Sequence, residues 1–347
     1  MKNKKDYFFM QRCIKLAEKG LGKTFPNPLV GSVVVYKDNI IGEGWHQKVG
    51  SSHAEANAIS NVQNKKFLSK STLYVSLEPC NHFGKTPPCS DLIIKNKIPR
   101  VVIASTDPNP LVTGKGIEKL KKAGCEVLIG ILKKEADFLN RRFFTFHNLK
   151  RPYVILKWAQ TKNNFIAPIQ KKTDNPEIFW ITNNYSRQRV HKWRSEEAAI
   201  LVGVQTVIND NPELTTREWA GKNPLRIVID PNRRTLKDSK LFQDNIPTLF
   251  FTKDPIELLP NKKEQNIVSP FCIKNILKEC YKLKIQSIII EGGLRTLESF
   301  IKDNLWDEAR VFKTDKKIKT GIMAPEFKKI SNQTEIYEGE ILDIYFN

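Results

Sequence analysis

Residues 53–55, with the sequence HAE, and residues 78–89, with the sequence EPCNHFGKTPPC, decide the fold predicted for the first half of this 347-residue chain. They supply His53 and two cysteines, Cys80 and Cys89, with eight residues between the cysteines, and the second stretch also contains His82. A neutral imidazole and two thiolates form a ligand set that Zn²⁺ prefers. Three protein ligands leave the fourth tetrahedral position open to water, which is typical of a catalytic zinc site. The pattern therefore predicts a zinc enzyme.

Glu55 lies two residues after the histidine and has the chemistry of a general acid and base. It would take a proton from water at the metal and pass it to a ring nitrogen and then to departing ammonia, and for this role it must not ligate the metal. Cys80 follows a predicted strand, and Cys89 opens a predicted helix whose dipole favours the thiolate. We therefore predict a deaminase site in which Glu55 is the catalytic residue.

Two other interpretations of these residues remain open. The cysteines could form a buried reduced pair beside a surface histidine. The site could also be a structural zinc centre, which would need a fourth protein ligand. His82 is the only close candidate for that ligand in the sequence.

Length and composition limit the classes of protein to which the chain can belong. At 347 residues it exceeds the roughly 250 to 300 residues at which a single core stops growing, so we expect two domains. Six cysteines are too few for a disulfide scaffold in so long a chain and indicate a reducing compartment. No signal-peptide pattern follows the basic N-terminus, and no stretch approaches the about 18 apolar residues of a membrane span. We expect a cytoplasmic protein without a membrane partner.

The formal net charge of +20 would permit binding to nucleic acid or to phosphorylated metabolites. The lysines are scattered in pairs along the chain and do not form a basic block, which favours a solvated surface over a nucleic-acid interface. We therefore expect no nucleic-acid partner. An RNA-binding protein whose deaminase fold edits or grips RNA stays open as a second hypothesis.

Hydrophobic patterns predict an α/β fold in both halves. In the first half we expect helices over 6–19, 54–61, 90–96 and 116–123, and strands over 30–36, 40–41, 72–76, 101–105 and 126–129. In the second half we expect strands over 153–158, 198–202, 226–229, 248–252 and 287–290, and a helix over 294–301. An aromatic segment ends just before Pro152, where proline favours an extended entry into a new strand. We therefore place the domains at 1–148 and 149–347.

The motifs of the first half resemble those of the bifunctional riboflavin-biosynthesis deaminase/reductase family. They are TFPNPLVG at 24–31, GEGWH at 42–46, HAE at 53–55 and EPCNHFGKTPPC at 78–89. Nucleic-acid and free-nucleoside deaminases of the same superfamily typically place two residues between the cysteines, so the spacing of eight argues against them. The resemblance implies a cytidine-deaminase-like α/β/α domain at the N-terminus.

The resemblance also implies the substrate, 2,5-diamino-6-ribosylamino-4(3H)-pyrimidinone 5′-phosphate, which loses its 2-amino group. It implies substrate contacts at Asn27, His46, His82 and Lys85. Asn27 could pair with a pyrimidine amide edge, and Lys85 could meet the phosphate. Each residue has a structural alternative, since Asn27 between two prolines suits a turn and residues 84–86 suit an exposed loop.

The resemblance continues through most of the second half. Its motifs are KWA at 157–159, WIT at 180–182, SR at 186–187, HKWR at 191–194, Gly203, Thr206, DNPEL at 210–214, Arg217, RIVID at 226–230 and EGG at 291–293. In the family this half is a dihydrofolate-reductase-like α/β domain that uses NADPH to reduce the ribosyl group to a ribityl chain. The resemblance implies NADPH contacts at Ala159, Trp180, Thr206, Asp210 and Gly293, and substrate contacts at Arg194, Leu214, Arg217 and Glu291.

In the second half, the residues themselves give less evidence of function than in the first half. A strand, a glycine turn and a helix over 287–301 would let backbone N–H groups approach a phosphate, although helix packing alone also explains paired glycines. Arg194 and Arg217 could clamp a phosphate or form ordinary ion pairs. Asn163-Asn164 replaces the usual Asp-Gly of the family, and Ala198 replaces a common acidic residue. A deaminase with a weak or inactive reductase half, kept as an interaction platform, is therefore a third hypothesis, and a homo-oligomer also stays open.

Overall fold

A computed structural model describes residues 2–81, 87–109, 113–169, 179–254, 262–266 and 271–347. The chain divides into two compact units, Met1–Lys150 and Arg151–Asn347. Among the described residues, no helix combines the length and the apolar character needed to cross a membrane.

In its described residues, the first unit is a five-stranded sheet between two layers of helices. Its elements are α1 (Lys2–Glu18), β1 (Gly31–Tyr36), β2 (Asn39–Trp45), α2 (Ala54–Ser60), β3 (Thr72–Leu77), α3 (Cys89–Lys95), β4 (Arg100–Ser105), α4 (Lys115–Lys122), β5 (Glu126–Ile129), α5 (Lys133–Leu139) and α6 (Arg141–Leu149), with a 3₁₀ turn at Lys65–Lys70. The strand order is β2-β1-β3-β4-β5. Strand β1 runs antiparallel to β2 and β3, and β3, β4 and β5 are mutually parallel.

Two apolar cores lie on the two faces of this sheet because successive strand residues point to opposite sides. Val34 and Leu73 pack with residues of α2, α3 and α4, whereas Val33 and Tyr74 pack with residues of α1 and α5. The result is the α/β/α arrangement that the sequence predicts.

All helices and strands predicted in the first half are present, but β2 is longer than the predicted 40–41. Its extension contains Gly42 and Gly44, which weaken the apolar strand pattern. A Cβ atom on Gly44 would lie 2.5 Å from the carbonyl oxygen of Ala54 in α2. The glycines therefore let α2, the helix that follows His53, pack directly on β2.

Among its described residues, the second unit contains a nine-stranded sheet. Its elements are β6 (Tyr153–Gln160), β7 (Phe165–Pro168), α7 (Asn184–Glu196), β8 (Ala199–Gly203), α8 (Val204–Asp210), β9 (Leu225–Ile229), β10 (Thr248–Thr252), β11 (Lys262–Asn266), α9 (Ile273–Lys282), β12 (Ser287–Ile290), α10 (Leu294–Lys302), β13 (Glu308–Lys313), β14 (Gly321–Met323), β15 (Gln333–Tyr337) and β16 (Glu340–Phe346), with a 3₁₀ turn at Lys240–Phe242. The order is β11-β10-β9-β8-β12-β6-β13-β16-β15, and β7 pairs with β14.

The seven strands from β11 to β13 are parallel, and β16 and β15 extend the sheet by antiparallel pairing. Val154 and Ile288 pack with residues of α9 and α10 on one face, and Ile155 and Ile289 pack with residues of α7 and α8 on the other. The carboxyl ends of β6, β8 and β12 are neighbours at one edge, where open α/β sheets commonly bind their ligands. The predicted strands and the helix over 294–301 are confirmed, whereas the strands after Lys302 were not predicted.

Candidate functional sites

His53, Cys80 and Cys89 come together in the first unit. His53 is the N-cap of α2, Cys80 lies three residues after β3, and Cys89 is the first residue of α3. His53 Nδ1 lies 3.5 Å from Cys80 Sγ and 3.4 Å from Cys89 Sγ. Tetrahedral zinc, with Zn–N near 2.0 Å and Zn–S near 2.3 Å, would separate a nitrogen and a sulfur ligand by about 3.5 Å. The donor atoms therefore fit Zn²⁺ in both chemistry and spacing.

The three candidate ligand atoms lie within 4.8 Å of one another. Among the described residues, no fourth histidine, cysteine or acidic side chain joins this group. His82, the fourth ligand required by the structural-zinc alternative, lies outside the described residues.

The two sulfur atoms differ in their surroundings. Hydrogen bonds from Cys89 and His53 lower the pKa of the Cys80 thiol and favour its thiolate. The backbone N–H of Cys89 also donates to Cys80 Sγ at 3.3 Å. Hydrogen bonding to Cys80 and burial raise the pKa of Cys89, since a second thiolate beside the first is unfavourable without a cation. A divalent cation would remove that conflict.

Glu55 lies in the first turn of α2 and is 3 % exposed. Burial, together with the charge of Cys80, raises the pKa of its carboxyl group to about 7. A carboxyl group with such a pKa can both accept and donate a proton near neutral pH. Glu55 is outside the group of candidate ligands, as a proton shuttle requires.

Asn27 and His46 form a hydrogen-bonded pair beside His53. His46 Nδ1 lies 3.2 Å from the carbonyl oxygen of Ser52, which can only accept, so Nδ1 carries the proton. His46 Nε2 then accepts from the side-chain amide of Asn27 at 3.1 Å. Burial lowers the pKa of His46 and keeps this ring neutral. The rings of His46 and His53 meet edge to face with centroids 5.6 Å apart.

This pair orients the amide of Asn27. Within the described part of the chain, Asn27 Oδ1 has no hydrogen-bond partner, so the side chain presents a carbonyl oxygen and a second N–H. Those groups suit a pyrimidine amide edge. Lys85, like His82, lies outside the described residues, and its predicted phosphate contact stays a prediction.

Glu78 is a buried residue of this site that the sequence analysis did not single out. Its carboxylate accepts backbone N–H bonds from Gly114 at 3.0 Å and Gly116 at 3.1 Å, at the start of α4. A Cβ atom on Gly116 would lie 2.0 Å from the carbonyl oxygen of Pro79. Glu78 thus ties α4 to the turn that carries Cys80. A charged residue at the end of an apolar strand was the signal that could have identified it.

In the second unit, Arg194 and Glu291 form a buried ion pair. Arg194 Nε and Nη2 donate to the two carboxylate oxygens of Glu291 at 2.7 and 2.8 Å, and its Nη1 donates to the carbonyl of Thr215 at 2.9 Å. Lys157 Nζ lies 3.6 Å from Glu291 Oε2. Burial opposes the ionisation of Glu291, but Arg194 and Lys157 outweigh it and lower its pKa to about 2. Glu291 is therefore a carboxylate held between two cations, and Lys157 is a further residue that no prediction named individually.

Arg217 and His191 share Glu218. Arg217 Nε lies 4.0 Å and His191 Nε2 lies 3.6 Å from Glu218 Oε1. Burial and the charges of Arg194 and Arg217 lower the pKa of His191 to about 4. The Arg217 side chain is 41 % exposed, so its guanidinium can still meet a phosphate.

Leu214 is placed differently from the other predicted substrate residues. Its side chain is buried in the apolar core that contains Trp193 and Phe312, and its φ angle is +54°. The structure therefore does not present the Leu214 side chain to a ligand.

Of the predicted NADPH residues, Thr206 and Gly293 lie together. A Cβ atom on Gly292 or on Gly293 would lie 3.2 Å from Thr206 Oγ1, and Gly293 has a φ of +39°. This turn requires glycine, and it opens α10 as the sequence predicts.

Ala159 lies near the carboxyl end of β6, and Asp210 ends α8. Trp180 is partly exposed, and the guanidinium of Arg187 lies 4.4 Å from its ring centroid. Among the described residues, no hydrogen bond or ring contact joins Trp180 or Asp210 to the turn at 292–293. The structure thus brings Thr206 and Gly293 together, whereas Trp180 and Asp210 have no such contact with the turn that contains Gly293.

Asn163-Asn164, which stands where the family usually has Asp-Gly, still forms a tight turn. Asn164 has a φ of +63°, a conformation that asparagine tolerates nearly as well as glycine. Asn163 Nδ2 donates to the carbonyl of Ile318 at 2.7 Å. Ala198 packs at the margin of an apolar core, and its N–H donates to Ser287 Oγ at 3.0 Å. Both departures are therefore accommodated by local structure.

Two family models match the chain. Residues 3–105 match the cytidine and deoxycytidylate deaminase zinc-binding region, and residues 152–314 match the RibD C-terminal domain. Among curated proteins, the chain is 44 % identical over 313 residues to the riboflavin biosynthesis protein RibD of Aquifex aeolicus, covering 88 % of this chain and 86 % of that one. The RibD of Actinobacillus pleuropneumoniae is 42 % identical, with 83 % and 78 % covered.

Solved structures give the same likeness over the whole chain. A diaminohydroxyphosphoribosylaminopyrimidine deaminase/5-amino-6-(5-phosphoribosylamino)uracil reductase from Thermotoga maritima is 36 % identical, with a TM-score of 0.88 and 99 % of each chain covered. RibD from Acinetobacter baumannii is 31 % identical, with a TM-score of 0.87 and 99 % of each chain covered.

Proposed function

The chain belongs to the RibD family of bifunctional riboflavin-biosynthesis enzymes, and from this premise we propose which of its residues carry each of the two reactions. It is a deaminase with a cytidine-deaminase-like N-terminal domain fused to a reductase with a dihydrofolate-reductase-like C-terminal domain. Zn²⁺ and NADPH are the cofactors that fit these domains. We assign residues 1–148 to the first activity and residues 149–347 to the second.

For the deaminase, the substrate is the phosphorylated diaminopyrimidinone. His53, Cys80 and Cys89 hold Zn²⁺, which when bound lowers the pKa of water toward neutrality. Glu55 takes a proton from the attacking water and delivers it to the ring nitrogen, and it then carries the second proton of that water to the departing amine, so that one water is consumed and one ammonia is released. The buried position of Glu55 and its pKa support this role.

Substrate recognition in this half falls to Asn27, His46, His82 and Lys85. Asn27 forms hydrogen bonds with the amide edge of the pyrimidine, and His46 fixes the orientation of the Asn27 amide. His82 and Lys85 supply donors for the phosphate.

For the reductase, Ala159, Trp180, Thr206, Asp210 and Gly293 contact NADPH, which when bound supplies the hydride. Arg194, Leu214, Arg217 and Glu291 contact the substrate. Arg194 is held by Glu291 as a fixed ion pair, whereas the guanidinium of Arg217 is more exposed, so we assign Arg217 as a cation for the substrate phosphate. The turn at 292–293 suits an approach of the cofactor phosphates to the start of α10.

The observation that carries the proposal is the meeting of three donor atoms at zinc-ligand spacing beside a buried carboxyl group, in a chain whose second half matches the RibD C-terminal domain. The test supplies the diaminopyrimidinone phosphate to the zinc-loaded protein and follows ammonia release and then NADPH oxidation. We expect both. Absence of ammonia would contradict the deaminase assignment, and ammonia without NADPH oxidation would support the inactive-reductase hypothesis.

The RNA-binding hypothesis is the less favoured alternative, because the cysteine spacing and the reductase domain both argue against it. It predicts RNA binding that weakens steeply with salt, which a titration at several salt concentrations measures. Homo-oligomer formation, a cytoplasmic location and the absence of a nucleic-acid partner stay predictions.

A further inference from the structure

Asn140 links two distant segments of the first unit. It lies between α5 and α6, beyond the residues 3–105 that match the deaminase zinc-binding region, and it is 2 % exposed. The backbone N–H of Leu29 donates to Asn140 Oδ1 at 2.8 Å, and Asn140 Nδ2 donates to the carbonyl of Leu29 at 2.8 Å, across 111 residues of sequence. The side-chain amide therefore pairs with Leu29 as a neighbouring strand would.

The segment that Asn140 holds is the one that carries Asn27. Leu29 is separated from Asn27 only by Pro28, whose ring fixes its own φ and leaves little freedom between the two. The next residue, Val30, accepts the backbone N–H of His46 at 2.9 Å, and the His46 side chain holds the Asn27 amide. Fixing Leu29 therefore fixes both ends of the Asn27–His46 pair.

We propose that Asn140 is a positioning residue for the deaminase reaction, acting through Leu29 to hold Asn27 where it reads the pyrimidine. This rests on the proposed role of Asn27. Only a side-chain amide offers a donor and an acceptor at this spacing, since an ionised aspartate lacks the donor and leucine lacks both. Without it, the buried N–H and C=O of Leu29 lose their partners, and the segment shifts to satisfy them.

The chain provides its own controls for this proposal. Reductase activity belongs to the other unit, so it reports on general damage to the protein. Asn96 offers a matched substitution in the same unit, because its Nδ2 donates to the carbonyl of Leu92 at 2.8 Å without touching the segment at 27–30. Zinc content reports on the integrity of the metal ligands.

The experiment compares N140A, N96A, N27A and the double variant N27A/N140A as full-length, zinc-loaded proteins. We expect N140A to raise the KM for the diaminopyrimidinone phosphate about tenfold, which corresponds to the loss of roughly one net hydrogen bond. Its zinc content and its rate of NADPH oxidation with the deaminated substrate should match the unsubstituted protein, as should every property of N96A. Because Asn140 acts through Asn27, the double variant should have a KM no worse than that of N27A.

Three results would overturn the proposal. One is an unchanged KM in N140A, and another is a double variant whose KM increase is the product of the two single increases. If N140A does not hold zinc, N140D, which keeps the acceptor for the Leu29 N–H, replaces it, and zinc loss in both variants would assign Asn140 a purely structural role.

Failure of the proposed function would look different. The unsubstituted, zinc-loaded protein would then release no ammonia. Amide hydrogen exchange still decides the positioning contact in that case, since it requires no catalysis. Exchange at Leu29 should be faster in N140A than in N96A, and equal exchange would refute the contact.

Discussion

The deaminase site and the reductase site are built in different ways. In the first unit, the proposed ligands and the proton shuttle lie within residues 53–89, at helix starts and a strand end, around one metal position. In the second unit, the proposed contacts extend from Ala159 to Gly293, and the residues that the structure does bring close, such as Thr206 and Gly293, are neighbours because parallel strands end at a common edge. A metal site can be read from local sequence, whereas a cofactor site of this kind depends on the sheet topology.

Removal of zinc should produce the largest difference between the activities of the two sites. Prolonged chelation should reduce ammonia release to background, because no side chain of the site replaces the effect of a cation on the pKa of water. NADPH oxidation with the deaminated substrate should be unchanged. Both rates can be measured on the same sample, with readdition of Zn²⁺ as the control. Loss of both activities on chelation would show that the two units are not independent.

Substitution of Glu55 should give the next largest effect. E55Q keeps the size of the side chain but removes the proton acceptor, so ammonia release should fall by about 10² to 10⁴-fold with zinc retained. E43Q is the matched control, because Glu43 pairs with Arg12 at the surface and lies outside the metal group. Zinc analysis and an ammonia assay measure the outcome. Ammonia release by E55Q at the normal rate would remove Glu55 from the reaction.

These two predictions concern residues that the sequence alone identified. His53, Cys80, Cys89 and Glu55 were predictable because ligand chemistry and spacing are properties of the chain itself. The contacts of Glu78 and Asn140 were not predictable, since each side chain binds backbone groups far away in sequence, and the fold creates those contacts.

The sheets show the same limit. Strands with continuous apolar runs, such as β1 and β12, were predicted within one residue of their ends. Strand β13 was not predicted, since Glu308 and Arg310 interrupt its apolar pattern. In the structure Arg310 Nε donates to Glu308 Oε1 at 2.6 Å, so the two opposite charges offset each other within the sheet.

Breaking the ion pair at Glu291 should test how the second site is held together. E291A leaves Arg194 and Lys157 as buried cations without their partner, so the free energy of unfolding of the second unit should fall by about 3 to 5 kcal/mol. Reductase activity should be lost, and ammonia release should persist. E335A is the control, because Glu335 pairs with Arg189 at the surface and its side chain is 43 % exposed, so a loss below about 1 kcal/mol is expected. Denaturant unfolding measures both variants, and equal losses would mean that the Glu291 pair is not specially stabilising.

Acidification should weaken the second unit through His191. Its pKa is lowered from 6.5 to about 4 in the folded protein, so the unfolded chain binds the proton first as the pH falls. The contribution of the neutral ring to the free energy of unfolding is fully present above pH 6.5 and is lost as the pH falls from 6.5 to 4. Within this range the free energy of unfolding should fall by no more than about 1.4 kcal/mol per pH unit. H191Q should lack this step. A pH series of unfolding midpoints that is identical in H191Q and in the unsubstituted protein would contradict the assignment.

At lower pH, protonation of Glu291 should cause a second loss of stability in the second unit. Its pKa is lowered from 4.5 to about 2, so its contribution is present above pH 4.5 and disappears as the pH falls toward 2. In the same pH series, H191Q should keep this lower step, which separates the two groups.

The smallest effect should come from restoring the usual Asp-Gly pair of the family. Asn164 already adopts the left-handed conformation, at a φ of +63°, and Gln160 Nε2 donates to its Oδ1 at 2.9 Å. Glycine adopts that conformation freely, whereas N163D removes the hydrogen bond that Asn163 Nδ2 donates to the Ile318 carbonyl, so N163D/N164G should change the rate of NADPH oxidation by less than about twofold and lower the stability by about 1 kcal/mol. N164A is the informative contrast, since alanine should destabilise the turn by about 1 kcal/mol. A large gain in the rate of NADPH oxidation in N163D/N164G would mean that the asparagine pair had impaired the reductase. The second unit would then have reduced activity, in addition to a site that is harder to predict from sequence than the zinc site.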